Sequence, residues 1–374
     1  MGIQPPWVVT LAGKKGRTGT RDGAPLHARF SGIQDLAIDQ EGVIYMCDSD
    51  NNRIRTINSQ NMACTLCGSL QPGRLDGYLH DCHFDNPMGL CVTGERDIFV
   101  ADTGNHLVRH ISPRGRVYTI AGDKEGYRDG ESELAQFRSP ASVVFLDSGS
   151  LIVSDVGNMC LREITNPLHP SRKSIFRFSA PVSIVHTRRI RYNASRFNVP
   201  FSSQSRIPNP LAQRSRSCGG LREFPLDFPA GLAADRSGHL FVAVRWVMHG
   251  ILKVSLRNWE LVGIVGAQDM GHRDGKGSMA LFNHPSGICV AEDGSVMVAD
   301  TGNHCIRRIS PTGEVTTHAG IPGKSGADNG KPLLSRFNSP SNLAYCPVTN
   351  DIIVADNKNH LLRRILRERV GMSE

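Results

Sequence analysis

A chain of 374 residues with 38 glycines and 39% hydrophobic residues suits many short strands divided by tight turns better than it suits long helices, and a propeller can close as one unit at this length. No apolar run approaches the roughly 18 residues that cross a bilayer as a helix, which points to a soluble protein. The formal charge of +8 is uneven: the interval 165–222 holds 11 Lys and Arg with no Asp or Glu, so everything else sums to −3.

The chain opens on Met1-Gly2-Ile3-Gln4-Pro5-Pro6-Trp7, which has neither the charged and apolar regions of a secretory signal nor the hydroxyl residue required for myristoylation. This favours a cytoplasmic setting, as do ten cysteines scattered without a pairing pattern. Cys64 and Cys67 form the one close pair; no second pair stands nearby to complete a zinc site, and on a strand the two side chains would face opposite ways.

A β-branched segment over 8–13 comes first. A glycine is then followed seven residues later by a phenylalanine in five places: Gly23 and Phe30, Gly77 and Phe84, Gly130 and Phe137, Gly275 and Phe282, Gly330 and Phe337. After an interval of 18 or 19 residues each Phe leads to the pattern Asp-x-x-Asn-x-x-x-Arg. The copies are Asp48, Asn51 and Arg55; Asp102, Asn105 and Arg109; Asp155, Asn158 and Arg162; Asp300, Asn303 and Arg307; and Asp356, Asn359 and Arg363. The same register, projected into the long gap, falls on Gly219, Leu226 and Val244, with Pro229 and Gly231 matching Pro285 and Gly287. A sixth, degenerate unit is therefore present.

Within the unit beginning at Phe282, the apolar runs 287–291, 296–299, 305–309 and 315–319 read as four antiparallel strands, a to d, separated by turn residues. The last unit lacks a strand d, and the segment 8–13 supplies one, closing the ring and removing open sheet edges. The fold expected is all-β: a six-bladed β-propeller of four-stranded antiparallel blades spanning 7–366. Blade 1 covers about 28–70, blade 2 about 84–122, blade 3 begins near 137, blade 4 covers about 226–266, blade 5 about 282–320, and blade 6 about 337–366 plus 7–13. The interval 165–222 holds a basic, flexible insertion, or a mispredicted one, and 367–374 is a tail.

The sequence Val-Ala-Asp-Thr-Gly-Asn-His at 100–106 and 298–304, with Asn105-His106-Leu107 and Asn359-His360-Leu361, resembles the NHL repeat. The resemblance implies a six-bladed propeller serving mostly as an interaction platform, although lactonases, strictosidine synthases and amidating lyases share the shape.

The fifteen repeated Asp, Asn and Arg residues are expected to form structural clusters. Blade 4 carries Val244, Val247 and Ile251 in their places, and such joint loss is what mutually satisfied partners predict, since one buried charge without its partner is costly. His106, His304 and His360 share one repeat position on three blades, too far apart for a common ion. Asp22, Asp76, Asp129 and Asp274 read as turn residues of the linking loops.

Enzymes of similar shape place polar ligands at the central mouth, where strand a begins. The corresponding positions are Asp35, Gly89, Ser142, Gly231, Gly287 and Asn342. Three glycines make a poor coordination shell, which leaves Asp35, Ser142 and Asn342 as a candidate ligand site and a metal-assisted hydrolase or lyase as one alternative reading. In the basic interval, Arg188, Arg189, Arg191, Tyr192, Arg196 and Phe197 interleave charge with aromatics, a pattern suited to RNA, another polyanion or an acidic protein. Asn193-Ala194-Ser195 matches a glycosylation acceptor, which has little meaning without export. No RING or B-box zinc pattern, nucleophile elbow or phosphate loop is present. The function expected is a monomeric, non-enzymatic scaffold without cofactor or metal, binding a protein or peptide through one propeller face; RNA or polyanion binding through the basic interval is the other alternative.

Overall fold

The computed structural model describes residues 7–168, 183–193, 197 and 221–367. Six sheets, antiparallel but for one pairing at the outer edge of blade 4, follow one another around an axis. Blade 1 is built from Ile33–Ile38, Ile44–Asp48, Arg53–Ile57 and Ala63–Gly68. Blade 2 uses Pro87–Val92, Ile98–Asp102, Leu107–Ile111 and Arg116–Ala121, and blade 5 uses Pro285–Val290, Val296–Asp300, Cys305–Ile309 and Glu314–Ala319. Blades 2, 3 and 5 add a two-residue strand from the linking loop at their outer edge, giving five strands where four were expected.

Blade 6 closes as the sequence predicts. Its strands Pro340–Tyr345, Ile352–Asp356 and Leu361–Ile365 are completed by Val8–Gly13, which pairs from Val8 with Ile365 to Gly13 with Leu361. The first and last parts of the propeller thus share one ladder, and blade 6 gains a covered edge.

Burial explains why strand b reads as a continuous apolar run: each blade packs on both faces. The described residues form one apolar cluster at each blade junction. Between blades 1 and 6, for example, Phe30, Ile33 and Met46 meet Ala344, Ile353 and Leu362.

Near the axis the inner strands almost touch. A Cβ on Gly89 or Gly231 would lie 2.2 Å from the carbonyl oxygen of Ala141 or Ser286 on the next blade, and one on Gly287 would lie 2.3 Å from Asn342 Cα. These three positions are glycine because the backbones approach too closely for a side chain.

Part of the basic interval belongs to the blades themselves. Blade 3 has strands Pro140–Phe145, Leu151–Asp155 and Cys160–Thr165, and its strand d is Ile184–Arg188, inside that interval. Arg191–Asn193 and Leu221–Glu223 then pair as a ribbon on the outer edge of blade 4, whose main strands are Pro229–Ala234, His239–Arg245, His249–Ser255 and Glu260–Ala267. The excess residues therefore lie on both sides of 184–193. Gly219, the projected landmark of blade 4, lies outside the described residues, as do Arg196 and the 368–374 portion of the tail. Val244 does take the place of the repeat Asp, since it pairs with Pro229 as Asp300 pairs with Pro285.

Candidate functional site

In blade 2, Asp102 Oδ1 accepts the Asp85 backbone N–H, and Oδ2 accepts Asn105 Nδ2 and Arg109 Nη1 at 2.8 and 2.7 Å. Arg109 also donates to the His83 and Leu75 carbonyls and to Asp76 Oδ1, and its guanidinium lies 5.1 Å over the Phe84 ring. The landmark Phe and the charged triplet are thus one unit. Each of Arg55, Arg109, Arg162, Arg307 and Arg363 has 0% side-chain exposure and reaches the Asp of its own blade. Linking-loop carboxylates do more than shape turns: Asp22, Asp76, Asp129 and Asp274 each bind the blade arginine and accept the N–H of a strand-d threonine. In blade 6, Asn329 binds Arg363 instead.

Two further repeat positions join blades to each other. The first follows the Asn of the triplet, where Asn52, His106, His304 and His360 adopt left-handed backbone. Their side chains accept the N–H of Asn86, Ser139, Ser339 and Gly32 on the following blade. His249 in blade 4 does the same for His284. Burial, with the nearby His284, pushes the His249 imidazole down to about 4, so it stays a neutral acceptor. Blade 3 has Met159 at this position, and among the described residues no such bond reaches Phe228.

The second position directly follows the Asp. Ser49 and Thr103 donate to the carbonyls of Pro87 and Pro140, Thr301 to that of Pro340, and Asn357 to that of Ile33, each the first residue of strand a on the next blade. Blade 3 carries Val156 here and blade 4 carries Arg245.

These inter-blade bonds ring a mouth on the face bearing the b–c turns. A cavity of about 290 Å³ opens there, lined by strand-a residues from all around the axis together with Val156, Arg245, Thr301, Asn357 and Lys358 from the turns. Asp35, Ser142 and Asn342 all border it. Their polar atoms are spent within the protein. Asp35 Oδ1 accepts the Leu36 N–H and Asn342 Nδ2, and Oδ2 accepts the Leu90 N–H at 2.9 Å. Ser142 Oγ accepts the Leu232 N–H at 3.2 Å, and Ser142 N donates to Ser154 Oγ. Burial raises the Asp35 carboxyl to about 7, against the pull of the two backbone N–H groups. Among the described residues no three His, Cys, Asp or Glu side chains converge as a metal would require.

Sequence reasoning missed a cation at this mouth that has no protein partner among the described residues. Arg245 stands 4.5 Å over the Phe228 ring, and no hydrogen bond or ion pair engages its guanidinium among the described residues. Burial depresses its pKa with no acidic neighbour to offset the effect. Phe228 in turn stacks on Trp246 at 6.2 Å, and Trp246 is 67% exposed. The signal available in the sequence was positional, because Arg245 directly follows the Val that replaces the repeat Asp.

The basic interval presents less free surface than its composition suggests. Tyr192 is buried and packs edge-on against Phe224 at 5.9 Å, and Phe197 packs against the same cluster, so neither is a free stacking platform. Arg188 pairs with Glu163 and lies over Trp259, Arg189 pairs with Glu223 at 2.7 Å, and Arg191 donates to the Asn258 carbonyl.

With this geometry in hand, comparison with known proteins is direct. A sequence model of the NHL repeat matches residues 84–111, 282–309 and 337–365, which are the first three strands of blades 2, 5 and 6 with their preceding Phe. The chain is a six-bladed propeller that carries NHL repeats. The NHL propeller is 26% identical to NHL repeat-containing protein 2 of Bos taurus over 339 residues, covering 86% of this chain and 44% of that protein. It therefore spans under half the length of that curated relative. Among solved structures it resembles an auxiliary nutrient binding protein from Bacteroides thetaiotaomicron, with TM-score 0.66 and 15% identity over 97% of this chain and 77% of that one. A gluconolactonase from Xanthomonas campestris shares the fold, with TM-score 0.51 and 13% identity over 97% and 95% of the two chains. At these identities the likeness speaks for the fold alone, and the NHL propeller has both binding proteins and enzymes among its neighbours in shape.

Proposed function

We propose that the NHL propeller is a non-enzymatic platform that holds a protein or peptide partner on the face carrying the b–c turns. The observation that carries this reading is the concentration on that face of Arg245 and Lys358, which border the axial cavity, with the exposed Trp246 stacked on Phe228 of the same rim. Tryptophan and arginine are the side chains that most often dominate binding energy at protein interfaces. The polar groups that an enzyme would use at this mouth, above all the Asp35 carboxylate, are instead hydrogen-bonded between blades. The platform leaves stability and recognition on separate residues, since the buried clusters hold the blades while the mouth remains open to a partner.

Affinity purification of the intact chain beside Trp246→Ala and Val348→Ala tests the reading. Val348 is exposed on an a–b turn, at the opposite face. The expected result is loss of the same partner with Trp246→Ala only, at unchanged melting temperature. Retention of every partner by Trp246→Ala removes the platform from this face.

Polyanion binding is the second reading, supported by the charge of the 165–222 interval. Its test is deletion of 198–220, which spares strand d of blade 3; steep salt dependence of RNA binding, lost on deletion, supports it.

A further inference from the structure

Four blades place a short polar side chain directly after the Asp position and spend it on the next blade's carbonyl. Blade 4 substitutes the long, five-donor Arg245, which makes no such bond and borders the cavity instead. A guanidinium half removed from water with no partner is costly unless something pairs with it. Lys358, one repeat position further along in blade 6, borders the same cavity two blades on, and its ammonium also lacks a protein partner among the described residues.

A second, independent observation marks the same spot. The residue beginning each blade's approach to strand a has positive φ: Gly32, Asn86, Ser139, Phe228, His284 and Ser339. Glycine and small or polar residues tolerate that conformation, whereas phenylalanine at φ 45° is strained. Strain of this kind persists where the side chain has a task. Phe228 is the ring beneath Arg245 and beside Trp246, with the guanidinium 4.5 Å above it, and it presents an apolar wall.

We infer that this mouth is a carboxylate-recognition site for an acidic peptide, in which Arg245 makes a paired hydrogen bond to one carboxylate, Lys358 supplies a second positive charge, and Trp246 with Phe228 packs the peptide chain. This inference rests on the platform reading and names the chemistry of its ligand. The planar guanidinium fork matches a carboxylate in two parallel hydrogen bonds. Outside the basic interval the chain sums to −3, so two unpaired cations at the axis are a local feature and not part of a basic surface.

The chain has three tryptophans, and their indole N–H resonances provide the test. Trp246 reports the mouth, and Trp259, beneath Arg188, reports the basic interval. Acetylated and amidated hexaglutamate, the matched hexaglutamine and free glutarate are titrated into the intact chain, with the Trp246 signal assigned by Trp246→Phe. Hexaglutamate should shift the Trp246 resonance saturably, hexaglutamine should not, and glutarate should bind more weakly for want of a chain to pack. Arg245→Gln should weaken hexaglutamate by about tenfold or more, the worth of a charge-assisted pair, and Lys358→Gln by a smaller factor. Arg245→Met is the companion variant, and both are checked by thermal melting, which should not fall, since each removes an unpaired cation. The inference is overturned by a Trp259 shift without a Trp246 shift, by equal binding of hexaglutamine, or by Arg245→Gln binding like the parent. A cellular partner that is lost with Trp246→Ala but retained by Arg245→Gln would leave the platform standing and remove the carboxylate chemistry.

Discussion

Arg307 Nη1 donates to Asp300 Oδ2 at 2.9 Å with both side chains wholly excluded from solvent. The pair is not isolated, because Asn303, the Asp274 carboxylate, two loop carbonyls and the Phe282 ring complete it. Replacing Arg307 by Ile leaves Asp300 buried without its cation, a loss of about 3–5 kcal/mol. Blade 4 shows what happens when the triplet departs together. The variant Asp300→Val, Asn303→Val, Arg307→Ile should cost less than Arg307→Ile alone, as read from urea unfolding. A triple variant less stable than the single one contradicts the closed-cluster account.

The histidine latch gives a second expectation. His304 combines left-handed backbone with an acceptor for the Ser339 N–H. Asparagine meets both demands, as Asn52 does in blade 1. His304→Asn should be nearly neutral, whereas His304→Ala leaves a donor unmet and should cost about 1–3 kcal/mol. Chemical denaturation of the two variants decides it.

Phe228 should show stability and recognition in opposition. Phe228→Asn relieves the strained backbone and should hold or raise the unfolding free energy, by an amount on the order of 1 kcal/mol, while removing the ring under Arg245 and lowering hexaglutamate affinity. A variant that loses stability and keeps affinity reverses the assignment.

Asp35 sets a pH dependence whose sign follows from burial. Its folded pKa is raised to about 7 from an ordinary 3.8, so between those values the folded state holds a proton that the unfolded state has released. Stability contributed by this group is complete below the lower value and declines as pH rises towards 7. At about 1.4 kcal/mol per pKa unit the loss is on the order of 4 kcal/mol. His249 acts in the opposite direction: its folded pKa is lowered to about 4, and stability falls as pH drops from the ordinary 6.5 through that value. The two windows overlap, so from about pH 4 to 6.5 the opposing slopes largely cancel in the parent, whereas unfolding free energies of His249→Asn across pH 4–8 should show the Asp35 decline unmasked, with stability falling as pH rises towards 7.

Much of this architecture is written in the sequence because each repeated residue has a geometric duty. The Phe landmarks are legible since every one lies beneath a blade arginine, and the closure by 8–13 is legible since blade 6 lacks a fourth strand. The strand d of blade 3 is harder to see. Its Thr187 binds Asp129 as Thr65, Thr119 and Thr317 bind their loop carboxylates, but residues interposed after Thr165 displace it from the repeat spacing. Tyr192 likewise looks exposed by composition and is buried, because the ribbon it belongs to folds onto blade 4. Arg245 escapes notice for a different reason. A residue whose role begins where the repeat fails has no copy elsewhere in the chain to compare with.

The b–c face as the binding surface is tested most directly by site-specific photo-crosslinking. Benzoylphenylalanine is placed at position 246, beside the mouth, or at position 348, on the opposite face, and the intact chain is irradiated with its partner. Crosslinks to one partner segment rich in Asp or Glu are expected from position 246 and none from 348. Crosslinks from 348 alone, or from neither position while the partner remains bound, would contradict binding at the b–c face.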